Sequence, residues 1–135
     1  EKAVLDIPSV RVEPRNEHAA EDLDTWSTIL TPTDGFEEQC YYHYFDKEAR
    51  ATIYNPEINK GVTISFDPEN LDQFTQWKMM GKHDYVLGLE PGNCLPDGRD
   101  VMRKNGTLQF LNPGESKEFS FTVTFYDDKA QWDKA

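Results

Sequence analysis

From Phe119 to Tyr126 the apolar residues Phe119, Phe121, Val123 and Phe125 alternate with Ser120, Thr122, Thr124 and Tyr126. Successive side chains of a strand point to opposite faces, so this stretch has one apolar and one polar face as a strand, whereas a helix would scatter the same residues around its circumference. Such a strand must lay its apolar face on something. The same period recurs in Ser9–Pro14, Ala51–Asn55, Gly61–Phe66 and Phe74–Met80. Gln39–Phe45 is dense in the aromatic residues that favour pleated surfaces, and Tyr85–Glu90 is an apolar run that stops at Pro91-Gly92. Thr107–Leu111, following the turn dipeptide Asn105-Gly106, reads as a further strand. No apolar pattern of period 3.6 is sustained anywhere. About seven to nine strands with turns at short intervals predict an all-β fold, an antiparallel β-sandwich rather than an α/β architecture.

The helical signals are short. Asn16 is placed to cap a helix over Glu17–Leu23, Asp67–Gln73 has room for one turn, and Asp97–Lys104 reads as a brief helix. Asp24–Gly35 ends in Thr-Pro-Thr-Asp-Gly, a cluster of turn formers that predicts a surface crossing. Residues 1–135 form one domain. The chain opens on a strand-like piece, Ala3–Ile7, with no initiator Met before it, which reads as the interior of a longer protein.

Aromatic residues make up 13% of the chain, too much apolar material for an acidic disordered segment. The net charge of -11 repels phosphate backbones and anionic surfaces, so no nucleic-acid or membrane partner is expected. Two cysteines in a domain of this size are no disulfide framework, and no run approaches the roughly 20 apolar residues that cross a bilayer. These features together predict free thiols and a cytoplasmic location.

Phosphate loops, Cys-x-x-Cys, His-Glu-x-x-His and Gly-x-Ser-x-Gly are absent from the sequence. His18, His43 and His83 are too scattered to be a metal site by spacing, so neither a metal nor another cofactor is predicted. Glu90 is the candidate for chemistry. At the end of an apolar strand and followed by Pro-Gly, its carboxylate would be held at a sheet rim and partly shielded, which would raise its pKa from about 4.3 towards the range of a general base. A plain alternative is that Glu90 caps a turn or pairs with Arg99 or Lys78. His43 shares a face with Tyr41 and Phe45 and is either a satisfied core histidine or a proton donor and sugar contact. Gln76 and Trp77 sit on opposite faces of one strand, with Trp77 the better core residue.

Gln76-Trp77-Lys78-Met79-Met80-Gly81, then Tyr85-Val86-Leu87-Gly88-Leu89-Glu90-Pro91-Gly92-Asn93-Cys94, then Gly98-Arg99 and Gly106-Thr107-Leu108, resemble a domain-of-unknown-function branch of the aldose 1-epimerase-like (galactose mutarotase-like) superfamily. Pro14–Glu17, Glu38–His43 and Leu111–Glu115 fall in the order that family shows. The resemblance implies the C-terminal part of a large antiparallel sandwich that binds a sugar on one concave face. It also implies chemistry. A Glu takes the proton of the anomeric hydroxyl while a His protonates the ring oxygen; the ring opens, the aldehyde turns, and closure gives the other anomer. Glu90 in Gly-Leu-Glu-Pro matches that Glu, and Gln76, Lys78, Asn93, Arg99 and His43 are the candidate sugar contacts. The family's His belongs to a segment before Glu1, so the isolated chain is expected to be inactive, and the alternative function is a non-catalytic carbohydrate-binding or structural module. An uncovered half-sandwich would invite a homo-oligomer or pairing with a missing N-terminal half.

Overall fold

Strands form wherever the alternation is strong. In a computed structural model, which describes residues 1–134, they are β1 (Val4–Asp6), β2 (Arg11–Pro14), β3 (Gln39–Tyr44), β4 (Ala49–Asn55), β5 (Lys60–Phe66), β6 (Gln73–Met80), β7 (Tyr85–Gly92) and β8 (Phe121–Tyr126). Short helices α1 (Glu17–Glu21), α2 (Arg99–Lys104) and α3 (Lys129–Trp132) join them. Two four-stranded antiparallel sheets result: the first in the order β1-β4-β5-β8 and the second in the order β2-β3-β6-β7. The expected all-β sandwich is therefore present.

The two sheets meet over Leu5, Ile7, Ala51 and Phe74, with Trp26, Ile29, Phe45, Ile53, Ile64, Phe66, Leu87 and Leu89 packed around them. Phe74 is the hinge of this contact. Its ring stacks on Phe66 of the first sheet at 5.6 Å and meets Phe45 and His43 edge-on at 5.6 and 5.8 Å. Burying a Phe side chain is worth about 1.5–3 kcal/mol, and favourable ring pairs add to it.

Asp67–Gln73 holds the single turn expected of it: Asn70 and Leu71 both bond the Asp67 carbonyl while the Asp67 side chain accepts from the Glu69 amide. Three local expectations need correction. Thr107–Leu111 forms no strand; Thr107 and Leu108 instead turn back on the Met102 carbonyl, and the segment lies largely exposed. The helix capped by Asn16 Oδ1 on the Ala19 amide (2.8 Å) ends at Glu21, and a 3-10 turn over Leu23–Thr25 replaces its last turn. The strand expected to stop at Glu90 continues through Pro91 and Gly92, paired with Phe74 and Gln73. Proline is tolerated there because β7 is an edge strand, where its missing N–H can face the unpaired side.

β8 is an edge of the first sheet, as β1 is, and no described residue covers its apolar face. Phe121, Val123 and Phe125 pair with the inward-facing Phe66, Ile64 and Val62 of β5, yet Phe121 is 60% and Phe125 76% exposed.

Candidate functional site

The two faces of the second sheet differ in chemistry. Register fixes which residues share a face: Gln39 opposes Lys78 and Tyr41 opposes Gln76, and the inward-pointing Phe74 lies on their side. This inner face is polar at one end because it receives the Asp22–Trp26 segment, whose carbonyls need donors. Gln76 donates to Trp26 O at 2.9 Å, Lys78 to Thr25 O at 3.1 Å, and Gln39 to the Asp22 carboxylate at 2.6 Å. All three are fully buried. Desolvation pulls the Lys78 ammonium below its ordinary pKa, opposed by the Asp22 charge. The Gln39 Oε1 atom has no hydrogen-bond partner among the described residues.

His43 stands in the same row. Gln76 spends its amide N–H on Trp26 O and turns Oε1 to His43 Nε2 at 3.0 Å, so Nε2 carries the ring proton and Nδ1 accepts from Ser9 Oγ at 3.1 Å. The Trp26 ring closes over it edge-on at 4.8 Å. Burial holds His43 neutral, with its pKa down to about 4, despite the opposing bond to Gln76. It is a satisfied core histidine.

Glu90 belongs to the opposite face. Glu13, Tyr42, Thr75 and Glu90 pair in succession across β2, β3, β6 and β7, and they make one straight row on the outer side of the sheet. Cys40, Trp77 and Gly88 form the row beside it. A Cβ at Gly88 would collide with Glu90 Oε1 and stand 3.2 Å from the Trp77 Cβ, so the carboxylate folds back over the bare glycine towards the base of the indole. Trp77 is half-buried and donates Nε1–H to Glu38 at 2.8 Å.

The loop after β7 returns over this face. Asp97 accepts from the Tyr42 hydroxyl at 2.8 Å and from Arg15 Nε at 3.3 Å, and Arg15 reaches Pro96 O as well. Burial and the Asp97 carboxylate push the Tyr42 hydroxyl far up from its ordinary pKa, and burial pushes the Cys40 thiol up against the pull of Arg15. Both groups stay protonated at neutral pH. The face thus has a polar, hydrogen-bonding floor of Thr75, Cys40 and Tyr42 and an indole wall, with Glu90 exposed at one end of the row, Glu13 at the other, and Glu38 on the indole N–H.

The residues expected from sequence do not all gather there. Gln76, Lys78 and His43 are buried on the inner face, away from Glu90. Asn93 lies two residues beyond Pro91 and is tied to Gln109 by its side-chain amide (3.2 Å) and by its carbonyl (3.0 Å), while Arg99 opens α2 in the open. The shielding expected for Glu90 is absent, since the residue is exposed, and it makes no ion pair with Arg99 or Lys78 among the described residues. Trp77, read as the better core residue, stands half-buried on the outer face. Thr75, Cys40, Tyr42, Arg15 and Asp97 were not picked out; the first three could have been, by counting in twos from Glu90 once the β7-β6-β3 register was known. Both cysteines are free, and no cluster of three metal-ligating side chains occurs among the described residues. A pocket of about 450 Å³ among Ile29, Ile53, Met80, Leu87 and Phe125 is walled by apolar side chains and does not include Glu90. It offers few partners for polar groups.

No curated protein matches the chain significantly. Among solved structures, the crystal structure of a "putative aldose 1-epimerase" from Klebsiella pneumoniae subsp. pneumoniae MGH 78578 matches 99% of the chain at 31% identity and a TM-score of 0.90. The chain spans 36% of the length of that protein. No helix among the described residues is long and apolar enough to cross a membrane. The all-β aldose 1-epimerase-like fold is thus shared with a protein of that description, and the family model described as "Domain of unknown function (DUF4432)" matches residues 1–125, so the chain belongs to the DUF4432 family.

Proposed function

We propose that the chain carries the general-base side of a sugar site of the aldose 1-epimerase type, on the outer face of the second sheet, with Glu90 as the base. The observation that carries this reading is the placement of an exposed carboxylate at the end of the Glu13-Tyr42-Thr75-Glu90 row, beside a half-buried indole. A sugar stacks its C–H face on an aromatic ring and takes directional hydrogen bonds through its hydroxyls, and Trp77 with Tyr42 and Thr75 supplies both kinds of contact. Glu90 at the rim removes the anomeric proton, a second group protonates the ring oxygen, and reclosure after rotation inverts the anomeric centre. Asn93 and Arg99, on the segment that follows β7, are the other substrate contacts in this reading. The likeness to a protein described as a "putative aldose 1-epimerase" supports it.

A second reading is carbohydrate binding without turnover. It is favoured by the positions of the histidines: His43 is buried on the inner face, His18 lies on α1 and His83 in the turn between β6 and β7, so none stands on the Glu90 face to serve as the acid. Saturation-transfer NMR on a panel of hexoses and pentoses, read on this chain and, since the isolated chain is expected to be inactive, on a longer polypeptide that contains it, separates the two in the longer polypeptide. Anomer exchange above the buffer rate, lost in Glu90→Gln with the fold retained, is the result expected of the epimerase site. Binding that leaves every sugar at its buffer rate establishes the second reading, and no binding at all refutes both.

A further inference from the structure

Pairing between β2 and β3 runs one residue past Pro14. The Arg15 amide bonds the Cys40 carbonyl at 3.0 Å, which sets Arg15 opposite Cys40, on the outer face and in the row that continues through Trp77 to Gly88. Its side chain leans over β3. Nε donates to Asp97 and Nη2 to the Pro96 carbonyl, each at 3.3 Å, and Asp97 in turn accepts from the Tyr42 hydroxyl of β3. The guanidinium also pulls on the Cys40 thiol of that strand. Every contact that holds Arg15 is made within the described residues. A guanidinium has five N–H donors, and with two spent, one on Nη2 and both on Nη1 have no oxygen acceptor among the described residues.

Across the sheet, the Glu90 carboxylate folds back over Gly88 of β7, and Trp77 of β6 stands between it and the guanidinium. From β3 to β7 is two strand spacings, about 10 Å. One sugar ring laid on the indole bridges that gap, with its anomeric carbon toward the carboxylate and the opposite ring carbons, C3 and C4, toward Arg15. The planar fork of an Arg side chain presents its N–H groups to two neighbouring oxygens at once. Resting on the sugar-site reading above, we propose that Arg15 determines the specificity of that site by donating to the vicinal hydroxyls at C3 and C4 of a neutral monosaccharide. The same fork binds phosphate and carboxylate, and the surrounding charge decides against them. Asp97 already matches the guanidinium, while Glu38 and Glu90 border the indole, so an anionic group there meets an excess of negative charge. The site therefore takes uncharged aldoses with free hydroxyls at C3 and C4 and rejects sugar phosphates and sugar acids.

A longer polypeptide that contains this chain is the protein to test, with D-glucose, D-galactose and D-xylose as probes and the 3-deoxy and 4-deoxy forms of whichever exchanges fastest. In the wild type, removing either hydroxyl is expected to slow anomer exchange at least tenfold, the cost of losing a hydrogen bond to a charged donor. Arg15→Met is expected to slow the parent sugar at least as much and then to treat parent and deoxy sugars alike within twofold, because the partner of the hydroxyls is gone. A mere loosening of the fold would slow every sugar and keep the discrimination. Arg15→Lys keeps a charge beside Asp97 without the fork, and it is expected to retain the wild-type circular dichroism spectrum and lose most of the discrimination. Exchange unchanged in Arg15→Met, a variant that still discriminates tenfold, or a wild type faster on D-glucose 6-phosphate or D-glucuronate than on D-glucose would each overturn the proposal; loss of exchange in Glu90→Gln alongside any of these would show that the sugar site itself stands. Where sugars bind without exchange, the same comparison is read on affinity by NMR titration. Absence of binding by every probe refutes the site and the role of Arg15 together.

Discussion

Lowering the pH should weaken this fold through one identifiable group. His43 is held neutral, with a pKa of about 4 in the folded chain against 6.5 for the free side chain. The folded state therefore binds fewer protons than the unfolded state between those values, and stability falls as the pH drops through that window. The contribution is fully present above pH 6.5 and lost progressively on the way to pH 4. Each pKa unit is worth 1.36 kcal/mol, so moving from pH 7 to pH 5 is expected to cost about 2 kcal/mol from His43 alone and about 3 kcal/mol by pH 4. Other groups titrate in the same range, and the His43→Gln variant separates them. Its stability should be lower at pH 7, yet its further loss on going to pH 5 should be smaller than that of the wild type by about 2 kcal/mol. Urea denaturation at the two pH values reads the difference, which amounts to about 1 M in the midpoint for a slope near 2 kcal/mol per molar. Parallel pH profiles for the two proteins, or an imidazole titration by NMR centred near 6.5 in the folded state, would refute the reasoning. A buried ring that resists protonation in this way is also poorly placed to act as an acid catalyst.

Two further outcomes follow from local geometry. Gly88→Ala introduces a Cβ where Glu90 Oε1 now lies, and because a flexible side chain can swing away the fold should lose less than about 1 kcal/mol while any anomer exchange falls; equal exchange rates in the two proteins would show that the folded-back carboxylate is irrelevant. Asn16→Ala removes the cap on the Ala19 amide, and thermal unfolding should report a loss of about 1 kcal/mol, with no loss excluding a contribution from the cap.

Most strands were legible because alternation is a direct image of pleating: β2, β4, β5, β6 and β8 lie on the period-two runs, β3 where aromatic residues crowd, β7 on the apolar run, and the Asn16 cap where its side chain predicts it. Thr107–Leu111 was misread because β-propensity measures a fit to neighbours, and that segment has no strand beside it. Pro91 was misread because whether a proline ends a strand depends on edge or centre, which topology alone decides. The faces of β6 were the larger difficulty. Gln76 and Lys78 look like solvent or substrate residues and Trp77 like core, but the Asp22–Trp26 segment brings buried carbonyls to the inner face, and the polar side chains turn inward to meet them. Alternation gives two faces without saying which is wet. Glu90 was singled out by its place at the end of an apolar strand before Pro91-Gly92, and the resemblance gave it a role; neither says which face of the sheet it occupies.

His43 and Gln76, joined by one hydrogen bond, are 33 positions apart in sequence, and the chain between them leaves their sheet to build β4 and β5 in the other. Bringing such a pair together costs about 3 kcal/mol in loop-closure entropy, less once the β4-β5 hairpin has shortened the free segment. The central β3-β6 ladder is thus coupled to the β4-β5 hairpin twice, through the chain and through the Phe66–Phe74 stack, and the two sheets share one unfolding cooperativity. The outer row that ends at Glu90 hangs on that ladder. A lesion in β4 or β5 therefore lowers the fraction of molecules in which the row exists, so that a residue remote from the sugar face can diminish its occupancy without altering the affinity of any intact copy.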